Sequence, residues 1–183
     1  MEVRKNKKVL RKYISEYKKS VSFEQMVYES QYIVETIEGL DVFKSSRRIL
    51  AYWPMSKEVD LRLLMRRWHI KKEFLLPAVK GDALEVRIFE GENKLAVGEA
   101  YGILEPTGTI LENLDTVDLV IVPGVAFDRE GRRMGHGKAY YDKLLSELTN
   151  AYKIGVGFSF QEVARVPLES HDKYMDEVIF GKK

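Results

Sequence analysis

At 183 residues, 45% of them apolar and 11% aromatic, the chain can bury a core for one self-sufficient domain, expected to span residues 1–183. Cysteine is absent, which excludes disulfides, thiolate nucleophiles and cysteine-containing zinc sites, and only His69, His136 and His171 remain for a histidine-rich metal centre. The net charge of +2 hides an asymmetry, since the first twenty residues hold eight Lys/Arg against two Glu and leave 22 basic against 26 acidic residues elsewhere, a distribution that suits a locally held anion better than a nucleic-acid track.

Leu10, Tyr13, Ile14, Tyr17 and Val21 follow helical spacing, and Ser22 with Gln25 forms a capping-box pattern that opens a second helix running toward Gly39. "RILAYWP" (48–54) reads as a short buried strand ended by Pro54, "DLRLLMRRWHI" (60–70) as a helix, and "EFLLPAV" (73–79) as the next strand. "LEVRIFE" (84–90) alternates like a half-exposed strand, while 91–117, rich in glycine and punctuated by Pro106, reads as a lid or an irregular connection. "DLVIVP" (118–123) is a fully buried strand pattern, "KAYYDKLLSELT" (138–149) a helix, and "YKIGVGFS" (152–159) and "DEVIF" (176–180) complete the strands. Buried strands alternating with helices predict an α/β fold: a three-layer Rossmann-like sandwich with a largely parallel central sheet and two N-terminal helices, whose ligands sit beyond the carboxyl ends of the strands. No apolar run approaches the roughly 18 residues of a membrane span, so neither membrane nor nucleic acid is an expected partner, and a cytoplasmic monomer is expected.

The stretch "GRRMGHGKAYYD" leaves the strand at 118–123 at such an end. Gly135 and Gly137 precede a helical pattern, so backbone N–H groups can approach an anion without side-chain obstruction while the helix dipole favours negative charge. Lys138 falls in the first turn of that pattern, where a cation opposes the dipole unless a bound anion compensates. A mobile solvated turn is the competing reading. Neither a Walker A loop nor a dinucleotide GxGxxG fits, because Gly137-Lys138 is followed by Ala139 and Tyr140 stands where glycine is needed. Lys7 and Arg11 share one helical face and could reach a phosphate chain, although for a basic helix taken alone a solvated face is the more usual reading. Taken alone, Glu58 reads as a helix-entry acid. Asp142, one helical turn beyond Lys138, could coordinate magnesium, and the consecutive Tyr140 and Tyr141 point to different sides.

Together these pieces resemble the 5-formyltetrahydrofolate cyclo-ligase family over nearly the whole chain. The resemblance rests on the Lys7-x-x-x-Arg11 helix, "YWPMSKEV", "GILEP", the loop "PGVAFDREGRRMGHGKAYYD" and the closing "FSFQEVARVPLESHDKYMDEVIF". Two positions depart from the family pattern: Ala139 replaces a usual glycine, and His136 a usual tyrosine or arginine. Alanine adds one methyl group and favours helix, so the cradle is expected to survive. The resemblance implies ATP- and magnesium-dependent conversion of 5-formyltetrahydrofolate to 5,10-methenyltetrahydrofolate with release of ADP and phosphate; a folate or nucleotide binder without turnover is the alternative. It further implies that Lys7, Arg11, Arg133, Gly135, His136, Gly137, Lys138, Ala139, Tyr140, Tyr141 and Asp142 hold ATP. Arg133 and Lys138 would act catalytically, Trp53, Glu58 and Tyr101 would line the folate side, and Asp142 with Asp176, or less well Asp172, would bind Mg2+.

Overall fold

The computed structural model describes residues 2–98, 102–169 and 172–182. Helices α1 (Glu2–Ser20), α2 (Phe23–Gly39) and α3 (Asp41–Ser45) lead into strand β1 (Arg48–Leu50), helix α4 (Arg62–Trp68) and strands β2 (Glu73–Lys80) and β3 (Ala83–Ile88). A small hairpin of β4 (Leu95–Val97) and β5 (Leu104–Pro106) follows, then β6 (Leu119–Val122), a ribbon of β7 (Ala126–Phe127) and β8 (Arg133–Met134), helix α5 (Tyr140–Glu147), and strands β9 (Tyr152–Gly157) and β10 (Glu177–Phe180). The main sheet runs in the order β10-β9-β6-β1-β2-β3, and every pair in it is parallel except β2 with β3.

Because β1 pairs with β6 on one side and β2 on the other, the chain moves outward in opposite directions from that pair. The loops after the two strands therefore diverge and leave a crevice at their carboxyl ends, the usual place for a ligand in an open α/β sheet. The layers follow from strand alternation. Ile49, Phe74, Leu76, Leu119, Ile121, Ile154 and Val156 face a core closed by Ile14 of α1, Ile33 and Ile37 of α2, Phe43 of α3 and Met65 of α4. Leu50, Leu75, Val120 and Val122 face the opposite core, closed by Leu144 and Leu145 of α5. The predicted three layers and two leading helices are present.

Several boundaries differ from the sequence pattern. Ser22 caps α2 by accepting from the Gln25 N–H at 3.1 Å, but the Gln25 side chain donates to buried Glu29 instead of closing the box. The strand read from 48–54 ends at Leu50, and the helix read from 60–70 shortens to Arg62–Trp68 because the turn at 55–58 takes up the preceding chain. The obscure 91–117 segment contains the β4–β5 hairpin, and its later part lies along β3, with Ile88 N–H donating to Thr109 O and Leu111 N–H to Val86 O. It thus covers a sheet edge that would otherwise expose unpaired backbone groups.

The β7–β8 ribbon carries Phe127, whose ring lies over the glycine face of β9. A Cβ at Gly155 would stand 2.6 Å from that ring and 3.0 Å from Met175 Cγ. Gly155→Ala is therefore expected to lower stability by about 1–3 kcal/mol through overpacking, read as a lower urea midpoint at unchanged slope; an unchanged midpoint would mean that the ring yields freely.

Candidate active site

The crevice beyond β1 and β6 is one cleft with two lobes that share Tyr52, Glu58, Pro123 and His136. The larger lobe, about 510 Å³, lies toward β2 and α5 and has walls from Trp53, Pro77, Val79, Leu84, Leu104 and Tyr140. The smaller, about 230 Å³, lies toward α1 and is bordered by Arg11, Lys18, Lys57 and Gln161. The first is chiefly apolar; the second is ringed by cations.

The chain leaving β1 builds the wall between the lobes. Tyr52, buried, donates its hydroxyl to Val59 O at 2.9 Å, and burial first, then nearby carboxylates such as Glu58, pushes its pKa well above the usual phenol value. Trp53 leans against Phe89, with ring centres 5.9 Å apart. Glu58 closes its own turn, its Oε2 accepting from Met55 N–H at 2.9 Å while its N–H donates to Met55 O. That turn puts Lys57 in the left-handed region at φ 64°. Glu58 is thus not in the first turn of α4; its other oxygen, Oε1, lies 3.9 Å from His136 Nε2 across the cleft.

The opposite wall is the glycine loop. Arg11 reaches it from α1 and donates to Gly135 O at 3.0 Å, and Gly137 takes φ 104° at the turn. Gly135 leaves room for Arg133, since a Cβ there would stand 2.9 Å from the Arg133 Nη1. Lys138 precedes α5 and is exposed, which corrects its expected first-turn position. Ala139 is the N-cap at φ 55° and ψ 13°, with no side-chain hydrogen bond to the first turn, so the leading N–H groups of α5 at the cleft have no side-chain partner among the described residues. Alanine was expected there as a helix former, but the chain turns left-handed before the helix starts, which explains why glycine suits this position. Tyr140 donates to Gly81 O at 3.3 Å, and Tyr141 packs under the Arg133 guanidinium, its phenol pKa raised far above normal mainly by burial.

Other expected positions need correction. Lys7, 5% exposed, is bound by Asp172 at 2.5 Å and Glu169 at 3.3 Å and does not border either lobe. Its charge is taken by the two carboxylates, and those contacts also occupy Asp172. Arg133 is buried and tied to α5, with Nη2 donating to Asp142 Oδ1 at 2.7 Å and Nε lacking a hydrogen-bond partner among the described residues, yet it still borders the larger lobe, where it was expected. Asp176 lies at the amino end of β10 and accepts from Lys153 N–H at 2.7 Å, at the sheet edge opposite the cleft and therefore away from Asp142. Tyr101 lies outside the described residues. Lys18, Lys57 and Asp128 were missed; Lys18 continues the face of Lys7 and Arg11 along α1, a signal that was readable, whereas Lys57 reaches the cleft only through its turn.

Asp128, 1% exposed, organises the hairpin that delivers Arg133. It accepts from Val166 N–H at 2.8 Å, Arg132 N–H and Nη1 at 3.0 Å and Glu130 N–H at 3.1 Å.

The fold and cleft define an open-sheet α/β protein with a two-lobed cleft at its strand-order switch, walled on one side by a glycine loop and the start of α5. The chain belongs to the 5-formyltetrahydrofolate cyclo-ligase family, whose model matches residues 3–181. It is 30% identical to the 5-formyltetrahydrofolate cyclo-ligase of Saccharomyces cerevisiae, over 96% of this chain and 95% of the yeast protein, and 26% identical to that of Mus musculus, over 95% and 93%. The solved structure of Aquifex aeolicus 5,10-methenyltetrahydrofolate synthetase superimposes with a TM-score of 0.86 at 36% identity, covering 97% of this chain and 90% of that one.

Two outcomes test this geometry. Replacing Ala139 by glycine should raise stability by about 1 kcal/mol by removing the left-handed Cβ penalty, measured as a higher urea midpoint; a lower midpoint would contradict the φ of this residue. For Asp128, burial alone would raise the carboxyl pKa, but the Val166 and Arg132 N–H groups and the Arg132 guanidinium outweigh it and hold the pKa below the ordinary 3.8. A depressed folded pKa means that its contribution is complete above 3.8 and fades as pH falls through the lower folded value, because the unfolded chain takes up the proton first. Asp128→Asn should therefore cost about 2–4 kcal/mol at neutral pH and flatten the acid limb of the stability curve, as followed by urea melts from neutral to acid pH.

Proposed function

We propose that the cleft cyclises 5-formyltetrahydrofolate to 5,10-methenyltetrahydrofolate at the expense of ATP, with the apolar lobe taking the folate rings and the loop at 135–139 taking the triphosphate. The observation that carries this reading is the position of Glu58 and the uncapped start of α5 on facing walls of one cleft. Such a site can hold a polar heterocycle against an acid while presenting backbone donors to an anion.

The formyl oxygen is a poor leaving group. Transfer of the γ-phosphoryl group to it, with ADP departing, gives a phosphorylated iminium carbon. N10 attacks that carbon to close the five-membered ring, the carbon–oxygen bond breaks with release of phosphate, and the N10 proton is lost to phosphate or solvent. No protein nucleophile is required, so the protein's work is alignment and charge stabilisation. Lys138, which has no hydrogen bond or ion pair among the described residues, is placed to meet charge on the transferring group. Trp53 and Tyr52 offer ring faces to the pterin, and Glu58 accepts from its N–H groups and opposes the positive charge of the methenyl product.

Magnesium fits only as an ion that arrives with the nucleotide. Among the described residues no three His, Asp or Glu side chains converge, and Asp142 already holds Arg133. One carboxylate with phosphate oxygens and water is an ordinary magnesium shell, so Asp142 would contribute a single ligand and the ion would offset phosphate charge.

The direct test is absorbance of the methenyl product with ATP, magnesium and 5-formyltetrahydrofolate; folate and nucleotide binding without product would favour a binding protein. Lys138→Met should lower turnover by about thirty- to a thousandfold, roughly 2–4 kcal/mol of lost stabilisation, while the melting temperature stays near the parent's because Lys138 is exposed. Near-parental turnover would refute the cradle.

A further inference from the structure

The smaller lobe is over-supplied with positive charge for a cavity that the protein fills by itself. Arg11, Lys18 and Lys57 border it against the one carboxylate of Glu58. Arg11 has a protein partner in Gly135 O, but neither lysine makes a hydrogen bond or ion pair among the described residues. Lys57 is held at the lobe by a turn that forces its backbone to φ 64°, a conformation that side-chain-bearing residues avoid. Lys18 is partly buried; that burial lowers its pKa, with Glu58 opposing the effect and Lys57 adding to it. The two ammonium groups repel each other and share Glu58 as their one nearby carboxylate, so an anion between them would offset both the repulsion and the desolvation of Lys18.

We propose that Lys18 and Lys57, with Arg11, form a phosphate subsite in the smaller lobe, holding the part of the nucleotide polyphosphate that extends past His136 on the side away from the apolar lobe. Phosphate is favoured over the carboxylate tail of the folate by position. The lobe lies at the carboxyl ends of β1 and β6, floored by Gly124 and Val156, and adjoins the glycine loop through Arg11. A flexible tail at the far end of a folate needs no such interior seat, whereas a triphosphate already at the loop needs cations within a few ångströms. The subsite explains why α1 carries a cation on the cleft-facing stripe two turns beyond Arg11.

This inference rests on reading the cleft as an ATP site, and the experiment separates the two. Lys18→Met keeps the packed stem, and Lys57→Asn removes the charge with a residue that tolerates the left-handed region. Each single variant and the double variant are assayed for KM of ATP and for kcat with monoglutamyl and triglutamyl 5-formyltetrahydrofolate. The shift in melting temperature caused by inorganic tripolyphosphate alone is measured in parallel. The double variant should raise KM for ATP about ten- to a hundredfold, more than it lowers kcat, and lose most of the tripolyphosphate shift. Should Lys18→Met fold poorly, exposed Lys57→Asn still answers, with an expected rise of about three- to tenfold. Unchanged ATP KM and an unchanged tripolyphosphate shift would overturn the subsite, as would an effect confined to the triglutamyl substrate. A parent protein that binds tripolyphosphate but forms no methenyl product, with that binding lost in the double variant, would support the subsite and reject the catalytic reading.

Discussion

The parallel pairing of β1 with β6 is the constraint on which the other features depend. Only two register pairs define it, Ile49 with Leu119 and Leu50 with Val120, yet it fixes the direction in which each half of the chain departs. Toward β2 the chain must return through α4, and toward β9 through α5, so the segments leaving β1 and β6 separate at once. Tyr52, Trp53 and the Glu58 turn end on one wall, Pro123 and the glycine loop on the other. The ribbon carrying Phe127 and Arg133 is anchored by Asp128 and by the close approach of a ring to Gly155. The loops that wall the cleft are thus set on packed supports, the arrangement that keeps their groups in register.

The cations near the cleft divide by partner. Lys7 and Arg133 are buried and paired with carboxylates, so removal of either would strand a charge inside the protein and damage folding before it touched catalysis. Lys18, Lys57 and Lys138 have no such partner among the described residues. Of the three only Lys18 is partly buried, so it alone carries a desolvation cost that an arriving anion would offset. Loss of activity in an Arg133 variant would therefore say little about phosphate contact.

Much of the fold could be read from the sequence because burial pattern and period carry it. Ser22 announced α2, four consecutive buried residues announced β6, and helices between strands implied the parallel sheet. The glycine loop was also recognisable from its own residues, whereas Glu58, read alone as a helix-entry acid, and Trp53 were picked out only through the family resemblance. What escaped depended on contacts distant in sequence. Lys7 has the helical face of a phosphate ligand, and only the position of 169–172 reveals another use for its charge. Asp176 has the right chemistry for magnesium, but strand direction puts it at the wrong end of β10. Ala139 reads as helix former because propensity knows nothing of a backbone that must turn left before entering the helix.

The contact between Lys7 and Asp172 spans 165 positions of the chain. During synthesis α1 emerges ahead of these partners as a basic amphipathic segment, with Lys7 lacking its carboxylates and Arg11 the glycine loop. Its Lys7 contacts cannot form until residues 169–172 have left the ribosome. Until then its apolar stripe, with Leu10 and Ile14, is available to whatever apolar or acidic surface lies nearby. A folding helper that shields α1 would thus matter most in the interval before residues 169–172 appear, and slowing translation near the carboxyl end would lengthen that exposure.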